Sequence, residues 1–128
     1  MKNKFLVVLS LFIVNSIFSQ NDSIVNYLDR NYKKVEKNDA TYIQKIVKKD
    51  SLWLGTLYYS TGKVKKEGYF ASNKLKKRVG LSKEYYKSGT LKSITKYNAK
   101  GKKDGPYIYF SEEGNNITSG HFLNGKRE

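Results

Sequence analysis

The chain has no cysteine, one proline and one histidine. Without cysteine there is no disulfide, thiolate metal site, cysteine nucleophile or lipid-modified N-terminal cysteine. The lone His121, beside Phe122, assembles no metal cluster and reads as a strand residue. Acids are scarce, with 11 Asp and Glu against 25 Lys and Arg. Glu112 and Glu113 are adjacent, and neighbours in a strand or turn point apart, so they make no acid/base pair. Asp29 and Asp39 stand alone, as turn residues do. The stretch Gly101-Lys102-Lys103-Asp104-Gly105 lacks the spacing of a phosphate loop. No nucleophile–base or acid–base set can be named, so we expect a non-enzyme that needs neither cofactor nor metal.

Long apolar runs are missing beyond the first 18 residues. Lys2 and Lys4 precede the mostly apolar stretch Phe5–Phe18, and Ser16, Ser19 and Gln20 follow it. A basic start, a short apolar core and a small-residue exit form the secretory pattern. The run is shorter than the roughly 20 residues that a membrane-spanning helix needs. We read 1–19 as a signal-peptide helix cut after Ser19, with a cut after Ser16 or an uncleaved anchor as alternatives. That reading puts the mature chain in the periplasm or outside the cell.

What remains is basic, rich in tyrosine and punctuated by glycine, and it repeats. Ser51-Leu52-Trp53 leads to Tyr58-Tyr59-Ser60-Thr61-Gly62-Lys63-Val64-Lys65. Gly80-Leu81-Ser82 leads to Tyr85-Tyr86-Lys87-Ser88-Gly89-Thr90-Leu91-Lys92. Gly105-Pro106-Tyr107 leads to Tyr109-Phe110-Ser111-Glu112-Glu113-Gly114. Each unit runs on to an aromatic and a basic turn: Phe70 with Asn73-Lys74, Tyr97 with Lys100-Gly101-Lys102, and Phe122 with Asn124-Gly125-Lys126. Gly recurs too often for helices, whereas Tyr, Thr and Ile favour a pleated strand. Period-two alternation puts Leu81 and Tyr85 on one face and Ser82 and Glu84 on the other. The glycines supply hairpin turns. The expected fold is therefore all-β, a single-layer antiparallel meander of tandem hairpins over 51–79, 80–104 and 105–128. Trp53 is the expected packing anchor of the first repeat strand.

The phrase Tyr-Tyr-x-x-Gly-x-Leu/Val-Lys, followed by an aromatic and an Asn-Gly-Lys-like turn, resembles the bacterial variant of the MORN repeat. Proteins that carry it are grouped as the YwqK-type antitoxin family. The resemblance covers about 51–128, with departures at Asn73-Lys74 (no Gly), Ala99-Lys100-Gly101, and Asn115-Asn116-Ile117. It implies a hairpin-repeat sheet and no catalytic residues, and it raises a toxin-neutralising or immunity role.

Residues 20–50 read as a cap on the first edge of the sheet. Ile24–Leu28 has strand character. Residues 40–47 carry both a helical stripe (Tyr42, Ile43, Ile46, Val47) and the β-branched content of a strand, and we take the strand.

Charge is concentrated. Residues 63–103 hold 14 basic and 2 acidic residues, against 7 and 5 in 20–62 and 2 and 4 in 104–128. A concentrated positive field attracts anions. The candidate binding face comprises Lys74, Lys76, Lys77, Arg78, Lys83, Lys87 and Lys92. It continues with Lys96, Lys100, Lys102 and Lys103 and includes Tyr85, Tyr86 and Tyr97. Two readings compete: lysine stems that shield tyrosine rings, or a docking patch for anionic lipid, polysaccharide or an acidic protein. Nucleic acid fits the charge but not an exported chain. A further route to a partner is strand addition at an open edge, for which the return strand Ile117–Leu123 is the candidate.

Overall fold

A computed structural model describes residues 23–128, so the signal peptide read over 1–19 lies outside the described residues. Nine strands follow one another: β1 (Ser23–Leu28), β2 (Tyr42–Lys49), β3 (Leu52–Tyr59), β4 (Val64–Phe70), β5 (Arg78–Tyr85), β6 (Leu91–Tyr97), β7 (Lys103–Phe110), β8 (Asn116–Leu123) and β9 (Lys126–Arg127). They form one open sheet in the order β1 to β9, and every pair is antiparallel. The fold is the all-β single-layer meander that the repeats imply. Of the ambiguous stretch 40–47, residues 42–47 enter β2, and a short 3₁₀ turn (Lys37–Asp39) interrupts the link from β1.

The repeat is visible in the turns. The amides of Tyr59, Tyr86 and Ser111 donate to the carbonyls of Lys63, Thr90 and Asn115, and the glycine amides of Gly62, Gly89 and Gly114 donate back to those first residues. Asn98 and Gly101 close the same turn at the opposite edge of the sheet. These turns need a left-handed residue, and glycine adopts that conformation without a Cβ clash: φ is +87° at Gly62 and +94° at Gly89.

Gly80 and Gly105 take a different part. They sit inside β5 and β7, where pairing to the preceding strand shifts register. Each has positive φ, which fits a bulge that a side chain would strain. The only proline, Pro106, follows Gly105 at this bulge, where a lost amide costs least. Counting back from the turn glycines, the matching position in the first unit is Trp53, not Ser51. With no glycine there, β3 stays straight and pairs with β2 without interruption.

The core follows one row across the sheet in which small residues alternate with or lie beneath large ones. Directly opposed residues share a face, and the register places Ile24, Ile46, Gly55, Gly68, Ser82, Thr95, Tyr107 and Gly120 in one line across eight strands. A Cβ added at Gly55 would come within 3.0 Å of Phe70 and Leu75, and one at Gly120 within 2.6 Å of the Tyr107 hydroxyl. The missing side chains let rings lie flat along the sheet. Phe70 and Tyr107, at 5% and 4% exposure, are among the most buried residues. Trp53, the expected anchor, is only half-buried, with Lys48 Nζ 6.0 Å from its ring.

Candidate functional site

Two hydroxyl contacts fasten one unit to the next. The Tyr59 hydroxyl donates to the Tyr85 carbonyl (2.8 Å), and the Tyr86 hydroxyl donates to the Phe110 carbonyl (2.7 Å). Tyr59 and Tyr86 hold the same place in their turns, so this is one contact used twice. Ser111 fills that place in the third unit.

The basic residues do not share a single face. Arg78 and Lys103 lie on the face of the small-residue row, paired with Phe70 and Tyr97. Lys83 and Lys96 lie on the other face, opposite Ile94 and Leu81. Tyr85 also points there, donating its hydroxyl to Glu67 (3.0 Å). Lys74, Lys76 and Lys77 occupy the β4–β5 connection, Lys100 and Lys102 the β6–β7 turn, and Lys87 the β5–β6 turn. The expected patch is therefore divided between two faces and two edges. Arg78, Lys92, Tyr86 and Tyr97 remain together on the row side: Arg78 stands over the rings of Phe70 (4.9 Å) and Tyr97 (5.9 Å), and Lys92 Nζ is 5.4 Å from Tyr86.

On that face a groove of about 710 Å³ runs across the strands from Leu28 in β1 to Lys92 in β6. Leu57, Phe70 and Leu75 supply its apolar lining, and Lys65, Lys66, Arg78 and Lys92 its positive charge. Lys65 is turned toward the groove by the register shift between Leu57 and Tyr58. Its ammonium sits 5.4 Å from the Tyr42 ring and 5.1 Å from Tyr59. Tyr32 stacks on Tyr42 at 5.2 Å and completes an aromatic corner. Burial, and then Tyr42, push the Tyr32 phenol above its usual pKa. The equivalent shift between Glu84 and Tyr85 frees Lys92 from strict alternation in the same way.

Glu84 is central to the electrostatics. Its carboxylate meets Lys66 at 2.6 Å, the only ion pair among the described residues. Burial alone raises its pKa, but the hydrogen bond and charge of Lys66, with the charges of Lys92 and Arg78, outweigh it and hold the group below the usual carboxylate range. The Arg78 guanidinium is fixed by donating to Ser82 Oγ (2.8 Å).

Sequence reading named Arg78, Tyr86, Lys87 and Lys92 of the groove's lining but missed Lys65, Lys66, Glu84 and Tyr32. Lys65 was within reach, because it stands three residues after Gly62 as Lys92 stands three after Gly89. The remaining repeat residues have structural places. Tyr58 and Phe110 stand at the register shifts of β3 and β7, and the Phe122 ring lies 4.8 Å from Tyr107. Gly125 lies in the β8–β9 turn, where its amide donates to Lys103.

At the far end, β9 pairs only with Phe122 and Leu123, so most of the outer edge of β8 has no strand beside it among the described residues. Ile117 on this strand is 62% exposed. No helix among the described residues is long and apolar enough to cross a membrane. No family model, curated protein or solved structure matches the chain.

Proposed function

We propose that the chain is an exported, non-catalytic binding module of MORN-like hairpin repeats that holds its partner against the row face of the sheet. The observation that carries this reading is the groove from Leu28 to Lys92, which combines apolar floor residues with Lys65, Lys66, Arg78 and Lys92. Concave sites with an apolar lining and a few convergent polar groups are where ligands bind. The leader-like order of 1–19 supports export. The shared turn geometry at Gly62, Gly89 and Gly114 supports the repeat reading.

Retention of envelope extract on the immobilised chain, at low and high salt, tests it. A discrete set of components held through the groove, and lost when Lys66 and Lys92 are both changed to Glu, is the expected result. Retention unchanged by that double variant refutes it.

A second reading rests on β8. Its open edge and the exposed Ile117 suit a protein partner that adds a strand, as an immunity or antitoxin-like protein would use to hold a toxin. That capture resists salt, because its bonds are between backbones. An envelope-coating polycation would instead bind many anionic surfaces weakly and lose them as salt rises.

A further inference from the structure

We propose that the groove binds a linear acidic polysaccharide of uronate type, with Lys66, Arg78 and Lys92 as the site for its carboxylates. This rests on the binding-module reading above and names the ligand class. One internal carboxylate, Glu84, faces three cations and directly touches only Lys66. Among the described residues Arg78 and Lys92 form no ion pair, and the groove's lining holds six Lys and Arg against three Glu, which suits incoming carboxylates. Arg78 is held by Ser82 and by the Phe70 ring. Lys92 is held against Tyr86. Cations fixed in this way lose little freedom when an anion arrives.

The form of the groove selects among anions. It crosses six adjacent strands, about 24 Å at the usual strand spacing, which suits a slender polymer over a single small ion. The strands β2 to β5 beneath it are paired on both sides. An extended acidic peptide therefore finds no free backbone to pair with. Glu84 and Glu112 also line the groove. A nucleic-acid strand, with a phosphate every few ångströms, meets repulsion there. Lys66 and Arg78 are half-buried in the groove, where a planar bilayer reaches them less readily than it reaches a projecting patch. A uronate chain spaces its charges by whole sugars, and the exposed Tyr32 offers aromatic surface and a hydroxyl to the sugars between them.

Calorimetric titration of the full chain with oligogalacturonides, at low and at physiological salt, tests this. A neutral glucan oligomer, polyglutamate, single-stranded DNA and phosphatidylglycerol vesicles are run beside it. Lys92→Glu in the groove is compared with Lys96→Glu on the opposite face, since both change net charge equally. The expected result is oligogalacturonide binding that Lys92→Glu weakens by about fivefold or more, while Lys96→Glu leaves it within about twofold. Equal loss from both variants overturns the groove as the site. Tighter binding of polyglutamate, DNA or vesicles, or binding of none of the probes, overturns the ligand class. The binding-module reading survives those outcomes if Lys66 and Lys92 still govern retention from extract, and falls with them if they do not.

Discussion

The sheet from β3 to β6 and its end from β7 to β9 share a turn and a pairing scheme but are covered differently. In the first region the seven-residue connection 71–77 folds back over the row, and Leu75 joins Phe70 above Gly55, with Arg78 above Gly68. In the second, one ring does most of the covering: Tyr107 lies across Gly120, flanked by Phe122 at 4.8 Å and the Arg127 guanidinium at 4.9 Å. The Tyr86 hydroxyl ties the second unit to the third, and Ser111 offers no such tie onward. Repetition of the backbone thus repeats the pairing, but stability depends on which large side chains roof each small one.

The strongest way to break this comparison is to remove the single roof. Tyr107→Ala is expected to cost about 3 kcal/mol, as truncating a buried aromatic does. Hydrogen exchange should show protection lost across β7 and β8 and kept across β3 to β5, because each hairpin contacts only its neighbours. Loss spread evenly over the sheet would erase the distinction between the regions.

Filling the space beneath the roofs comes next. Gly120→Val and Gly55→Val are each expected to destabilise by about 1–3 kcal/mol in chemical denaturation. Gly120 should suffer more, since its added Cβ meets a ring held on both sides, whereas at Gly55 the flexible end of Leu75 has room to move.

The ties between units sharpen the comparison further. Tyr59→Phe and Tyr86→Phe each leave one backbone carbonyl without its donor, and about 1 kcal/mol apiece is expected from denaturation. Similar losses from the two would establish that the contact serves both junctions alike.

The smallest effect is that of acid. The pKa of Glu84 is depressed in the fold, so its contribution is present above the unfolded carboxylate pKa and is lost as pH falls through the lower, folded one. Because the group is partly solvated, the contribution is expected to stay below about 1 kcal/mol. Glu84→Gln should flatten the acid limb of the stability–pH curve in this region only.

The fold was legible because its signals are local. Turn glycines, aromatic strands and a spacing of 25 residues from Gly89 to Gly114 specify hairpins without any distant contact. The site was legible only in part. Alternation put Ser82 and Glu84 on one face and Leu81 and Tyr85 on the other, as the register has them. However, Lys65 and Lys92 escape strict alternation where the register shifts. The groove also needs Leu75, carried in by a connection whose backbone at that residue is left-handed (φ +52°). Neither feature follows from side-chain period. The expected anchor Trp53 is only half-buried, opposite Phe70 and beside Lys48, although its size suggests full burial.

The order of the strands has a mechanical consequence. Because each strand pairs only with its neighbours in sequence, tension applied to the two ends loads each hairpin in turn and never shears the whole sheet at once. The ribbon should pay out in a series of small, reversible steps at modest force, like a zip fastener drawn from either end, and should close again by the same route once the load is released.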